Sequence, residues 1–204
     1  MLTKVKEKFQ SWILFEAKVA YKARFRPNQI SALGIIFATV SSFLYWLAGT
    51  LSFGEYSEQA SMILAPMFLS ISGFCDALDG ALARLYGKTT TFGGFLDSLL
   101  DRYAESAIYF GIIVGGLSDV SWGIVALVGS LLVSYARARS EAAGIKMETV
   151  GVAERADRLI IIVLGSLLNL IWVDAIRWCM VLLALLTNFT VLQRVAHFYA
   201  KTRS

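Results

Sequence analysis

DALDGALARLYGKTTTFGGFLDSLLD, running from Asp76 to Asp101, sets four aspartates among Ala, Leu and Phe in a stretch whose apolar residues belong in lipid. On a helix turning about 100° per residue, Asp76 and Asp79 lie about 60° apart and Asp97 and Asp101 about 40° apart, so each pair shares a face. Between the pairs, Arg84-Leu85-Tyr86-Gly87-Lys88 and Thr89-Thr90-Thr91 make the natural break. Gly87 can end one helix and a threonine can cap the next through its hydroxyl. Two antiparallel helices joined by this turn bring all four carboxylates together near one membrane surface.

The chain around this stretch is 204 residues long and 57% hydrophobic, with a mean hydropathy of +0.63. That is too apolar for an ordinary soluble domain, and one membrane domain over residues 1–204 is expected. Mainly apolar segments run roughly over 29–53, 59–85, 92–117, 120–143, 157–173 and 176–198, against a spanning requirement of about 20 helical residues. The expected fold is therefore an all-α integral membrane protein of six transmembrane helices. No strand-like alternation supports a barrel.

Lys and Arg gather in the N-terminal arm, after the second and fourth segments, and in the tail. The opposite turns hold little beyond Glu55, Glu58, Asp119, Asp174 and Arg177. The positive-inside bias then puts both termini in the cytoplasm and the active face on the cytoplasmic side of the cell membrane. Residues 1–26 read as an amphipathic helix and arm rather than a signal peptide. Phe9, Trp12, Ile13 and Val19 or Ala20 recur opposite Lys8, Lys18 and Lys22, as on an interfacial helix. Cys75 and Cys179 both fall inside helices, which excludes a disulfide framework, and the single histidine, His197, reads as interfacial. Membrane lipid is the expected surroundings, and no nucleic-acid partner is expected.

Burying the aspartates bare is costly. Each central Asp costs roughly 2.5 to 3.5 kcal/mol on the lenient insertion scale. Arg84 and Arg102 can offset two charges, and buried ion pairs that fix helix register are the structural alternative. Carboxylates at i,i+3 and i,i+4 on facing helices, with no His or Cys beside them, instead describe a site for hard divalent cations. Two Mg²⁺ or Mn²⁺ ions would balance four carboxylates, and two-metal clamps recur in phosphoryl chemistry.

Asp76, Asp79-Gly80, Ala83-Arg84, Gly93, Asp97 and Asp101 fill every fixed position of a signature, D-x2-DG-x2-AR, a spacer, G-x3-D-x3-D. In this the chain resembles the CDP-alcohol phosphatidyltransferases. The resemblance implies six transmembrane helices and a homodimer. It also implies that Asp76, Asp79 and Asp97 bind two metals, with Asp101 both reaching a metal and acting as base. It assigns the CDP-linked lipid to Gly80, Ala83, Arg84 and Thr90, and to Asn28 and Ser31 in a stretch, Arg26-Pro27-Asn28-Gln29-Ile30-Ser31, like the family's segment before its first spanning helix. Independently, small residues at 80, 83 and 93 allow close approach to the backbone, and the fork of Arg84 suits a phosphate oxygen. The implied reaction moves a lipid phosphate from CDP to an alcohol and releases CMP. No Ser-His or Cys-His pair offers a covalent route, which favours direct displacement, although an Asp nucleophile stays open.

Three further stretches, SYARARSEAAG, VAERADRL and LQR, put Arg137, Arg139, Arg155, Arg158 and Arg194 at the cytoplasmic ends of three helices. Guanidinium suits bidentate phosphate recognition, and lipid headgroup contact is the plainer alternative for any one of them. As a set they resemble the branch of the family that makes phosphatidylinositol phosphate, or archaetidylinositol phosphate from ether lipids. That branch implies an inositol phosphate acceptor held by these arginines. Glycerol 3-phosphate, serine, and CDP-inositol used as donor remain rival substrates, and a cation transporter is the rival class.

Overall fold

The computed structural model describes residues 2–50, 55–147 and 150–203, with no side-chain placement for 2–11 and 55–57. The described residues form seven helices and no strand: α1 (Leu2–Lys22), α2 (Pro27–Thr50), α3 (Glu55–Leu85), α4 (Thr91–Val114), α5 (Val120–Ala142), α6 (Arg155–Leu168) and α7 (Ala175–Thr202). The chain is all-α, as expected. Four stretches, Pro27–Thr50, Glu58–Leu85, Val120–Ala142 and Ala175–Thr202, are long and apolar enough to cross a membrane. The other two helices of the expected six differ for visible reasons. The α4 helix carries Asp97, Asp101, Arg102 and Glu105, and α6 has 14 residues, or about 21 Å of helix against a hydrocarbon core of about 30 Å.

The fifth apolar segment was expected to stay helical to residue 173, but α6 stops at Leu168. Asn169 is the reason: its Oδ1 accepts from the Ile176 N–H at 3.2 Å and closes a turn into α7. The end of the first segment, 51–53, and the Phe9, Lys8 and Glu55 side chains lie outside the described residues.

Small residues let the helices that carry the site approach closely. A Cβ on Gly115, the C-cap of α4, would stand 2.5 Å from Tyr45 O of α2. One turn away, Ser42 Oγ donates to Ala107 O at 2.5 Å. Tyr45 and Tyr109, both fully buried, reach Ser166 at 2.7 Å and Ser130 at 2.9 Å, so their hydroxyls link α2 to α6 and α4 to α5. Around them Leu69, Ile108, Ile112, Ile162, Met180 and Leu183 fill the core. Outward faces keep large apolar side chains exposed, Phe95, Phe110, Leu164, Leu185 and Leu192 among them. Together with the four spanning-length helices, such faces belong to a membrane protein.

Helix α1 divides its apolar residues. Ile13 and Ala17 are buried in a second cluster with Ile30, Cys75, Ala81 and Leu82. Trp12 meets the Phe74 ring at 5.1 Å yet stays half exposed, like Val19. The end of α1 also reaches the turn between α3 and α4, where Tyr21 stacks on Tyr86 at 3.6 Å and Lys88 Nζ lies 4.7 Å from the Tyr21 ring centre.

Candidate active site

Sequence dictates the α3–α4 turn atom by atom. Gly87 takes φ +61°, a left-handed conformation that glycine adopts without penalty. Lys88 N then donates back to Ala83 O at 2.9 Å, ending α3. Thr90, extended at φ −129° and ψ 152°, caps α4 by accepting from Gly93 N at 2.9 Å. A Cβ at Gly93 would come 2.9 Å from that same Thr90 Oγ1, so a larger residue there would oblige the cap to shift.

The turn brings the four aspartates together. Carboxylate oxygens of Asp76, Asp97 and Asp101 all lie within 4.8 Å of one another. Asp79, only 5% exposed, accepts a short hydrogen bond from Ser31 Oγ of α2. Arg155, the first residue of α6, places one nitrogen, Nη1, 2.6 Å from Asp76 Oδ2 and 2.7 Å from Asp101 Oδ1. Its Nε is buried with no protein partner among the described residues. Clustered carboxylates with no sulfur or imidazole form a hard-oxygen donor set, which fits a divalent metal such as Mg²⁺ or Mn²⁺.

Cavities flank the carboxylates on two sides. One, of about 210 Å³, is lined by Asn28, Ser31, Gly80, Ala83, Arg84 and Thr90 together with Asp79 and Asp97. All six residues assigned to the CDP-linked lipid therefore share one cavity. Glycine at 80 makes room for the cation there, since a Cβ would meet Arg84 Nη1 at 3.2 Å. The other, of about 650 Å³, is lined by Asp76, Asp101, Arg137, Arg155, Arg158 and Arg194, with Leu69, Phe74, Val163 and Leu164 as apolar wall.

The five arginines are not equivalent. Arg194 is 3% exposed and its Nε and Nη1 donate to Val150 O at 2.9 Å and Val133 O at 2.5 Å, with no carboxylate partner among the described residues. Arg137 is exposed and pairs with Glu141 at 2.9 Å. Arg158 is 1% exposed and has all three of its nitrogens engaged: Nε and Nη2 reach the two Glu105 oxygens at 2.5 and 2.8 Å, and Nη1 reaches Ala153 O at 2.8 Å. Arg139 is exposed and does not line the large cavity; two positions along a helix put it about 160° from Arg137. Glu105 and Lys88 are the residues that sequence reasoning passed over. Glu105 continues the i,i+4 ridge of Asp97 and Asp101, and Lys88 lines the donor-side cavity beside Thr90.

Comparison with known proteins gives the family of the chain. A family model described as CDP-alcohol phosphatidyltransferase matches residues 24–190. Archaetidylinositol phosphate synthase of Pyrococcus horikoshii is 38% identical over 205 residues, covering 100% of this chain and 98% of the relative. A crystal structure of Mycobacterium tuberculosis phosphatidylinositol phosphate synthase with CDP-DAG bound has a TM-score of 0.77 at 25% identity, covering 92% of this chain and 93% of that one. A second structure of that synthase, in complex with manganese and citrate, also gives 0.77, at 26% identity and with coverage of 92% and 88%.

Proposed function

The chain belongs to the CDP-alcohol phosphatidyltransferase family, and on that premise we propose that it transfers a lipid phosphate from a CDP-linked lipid, CDP-diacylglycerol or CDP-archaeol, to inositol phosphate, releasing CMP. The observation that carries the acceptor is Arg194, a buried guanidinium with no carboxylate partner among the described residues, lining the same cavity as Arg155, whose Nε has no partner among them either. A buried cation without a counter-ion is costly. A phosphate monoester arriving in that cavity supplies the missing anion through charge-assisted hydrogen bonds.

The donor occupies the smaller cavity. Arg84 and Thr90 hold its phosphates, while Asn28, Ser31, Gly80 and Ala83 shape the nucleotide's seat. Asp79 and Asp97 border this side and Asp76 and Asp101 border the acceptor's, so the pyrophosphate lies across the carboxylates. All four aspartates would hold two divalent cations, Mg²⁺ with Mn²⁺ as substitute; when bound, these supply counter-charge for the pyrophosphate and for the leaving CMP.

An acceptor hydroxyl attacks the lipid phosphorus, the phosphorus–oxygen bond to CMP breaks, and the hydroxyl proton passes to Asp101. Asp101 suits this role because it borders the acceptor cavity. Arg155, Arg194 and Arg137 hold the acceptor phosphate, and Arg139 contacts lipid headgroups instead. We place the chain in the cell membrane as a homodimer, with six spanning helices, α2 to α7, both termini cytoplasmic and the site facing the cytoplasm. α1 lies in the interface.

The test is CMP release by purified protein given a CDP lipid and, separately, inositol phosphate, inositol, glycerol 3-phosphate or serine. Inositol phosphate should be used best, and only with a divalent cation present. Equal use of free inositol or serine overturns the acceptor assignment.

A further inference from the structure

We propose that Glu105 and Arg158 form a positioning pair that sets the place of Arg155 and thereby the affinity for the acceptor. Neither touches the acceptor in this reading. Arg158 is matched by both oxygens of a single buried carboxylate, Glu105, at 2.5 and 2.8 Å, with the two side chains 1% and 2% exposed. Its remaining reach goes to the backbone, where Nη1 donates to Ala153 O at 2.8 Å.

That carbonyl belongs to the turn that launches α6. Ala153 N is held as well, donating to Thr190 Oγ1 of α7 at 3.1 Å, and Glu154 N donates to Asp157 at 3.0 Å. Arg155 follows directly, one helical turn before Arg158. Clamping Ala153 from both sides fixes the height and rotation at which α6 begins. Arg155 Nη1 reaches both Asp76 of α3 and Asp101 of α4, at 2.6 and 2.7 Å, so one nitrogen ties α6 to both helices that carry the aspartates. Glu105 sits one turn after Asp101 on the same face of α4. The pair therefore references the Arg155 helix to the very helix that carries the base.

A planar guanidinium with bidentate geometry transmits position in a way that a point charge does not. Outer partners of site residues typically cost about 10-fold or more when removed, because the group they orient wanders. The same pair acting only as helix glue would destabilise the fold without favouring one substrate, so melting temperature alone does not separate the two cases.

The proposal rests on Arg155 meeting the acceptor, and the experiment separates the two. Steady-state CMP release is measured for Glu105→Gln, Arg158→Lys, Arg155→Ala and Glu105→Gln combined with Arg155→Ala, varying donor and acceptor independently. Glu105→Gln and Arg158→Lys should each raise the acceptor KM roughly 10-fold, leaving the donor KM within about twofold of wild type. Glu105→Asp should recover part of the loss. The double variant should be no worse than Arg155→Ala, since a positioning residue has nothing left to position. If Arg155→Ala leaves acceptor kinetics unchanged, the reading of Arg155 fails and the proposal with it. If Arg155→Ala acts on the acceptor but the Glu105 and Arg158 variants do not, or act on donor and acceptor alike, or multiply with Arg155→Ala, the positioning role alone is overturned. Should neither Glu105→Gln nor Arg158→Lys fold, the pair is a stability element and the proposal is equally overturned.

Discussion

Replacing Asp101 by Asn separates its two assigned tasks. The change removes a negative charge and a proton acceptor but keeps shape, and the new amide oxygen can still accept from Arg155, whose bond to Asp76 at 2.6 Å is untouched. Its contact with Arg102 is 3.6 Å long and partly exposed, so that loss costs at most about 1 kcal/mol of stability. Local structure should therefore survive. A general base contributes about 10² to 10⁴-fold to rate, equivalent to roughly 2.7 to 5.5 kcal/mol of barrier. Asp101 borders the acceptor cavity and not the donor cavity, so kcat should fall by that range while donor affinity stays near wild type. The assay is steady-state CMP release at saturating acceptor, paired with direct binding of the CDP lipid to the same preparation. A fall in turnover of less than about 10-fold excludes the base. Parallel losses in binding and turnover make Asp101 chiefly a metal ligand, and Asp97→Asn, on the donor side, is the control in which that parallel loss is expected.

Chelation should abolish CMP release in wild type, and Asn at Asp76, Asp79 or Asp97 should do the same in folded, extractable protein; activity of Asp97→Asn in chelator would refute the metal site. Arg194→Ala should lower acceptor kcat/KM by roughly 10- to 150-fold, the equivalent of about 1.5 to 3 kcal/mol for a charge-assisted hydrogen bond. Arg139→Ala should stay near wild type in the same assay, because Arg139 is exposed and does not line the cavity. Thr90→Ala should cost about 1 kcal/mol through loss of the α4 cap and raise the donor KM, with Thr90→Ser restoring both; an unchanged donor KM would confine Thr90 to capping.

The aspartates were readable in sequence because charge is expensive in lipid and four of them at helical spacing have few inexpensive explanations. The Gly87 turn and the Thr90 cap were readable because their chemistry is local. The end of α6 was not. Leu170-Ile171-Trp172-Val173 continues an apolar run, and hydropathy cannot tell helix from a turn closed by a single Asn169 side chain. Likewise Ile13 and Val19 read as one amphipathic face, whereas burial of Ile13 against α3 depends on where α1 docks. Glu105 escaped notice because, read along the chain, it is one more acidic residue on the Asp97–Asp101 ridge; only its distance to Arg158 gives it a separate meaning.

The five arginines show why composition alone overstates a binding site. Their spacing places all of them near helix ends, but what an anion meets depends on which guanidiniums are already satisfied. Glu105 neutralises Arg158, and Glu141 shares Arg137 in an exposed pair worth little. Arg194 differs in kind, since carbonyl dipoles at Val133 and Val150 orient it without cancelling its charge. Arg155 is shared between Asp76 and Asp101, and therefore couples the acceptor cavity electrostatically to the carboxylates. On the proposed reading, the acceptor phosphate is held chiefly by Arg155 of α6 and Arg194 of α7, with the exposed Arg137 adding little. Two such groups would discriminate a phosphorylated acceptor from a neutral one. They do not by themselves tell inositol phosphate from glycerol 3-phosphate, because both offer the same phosphate. That finer choice has to come from how the 650 Å³ cavity meets the acceptor's hydroxyls, and it depends on position more than on charge.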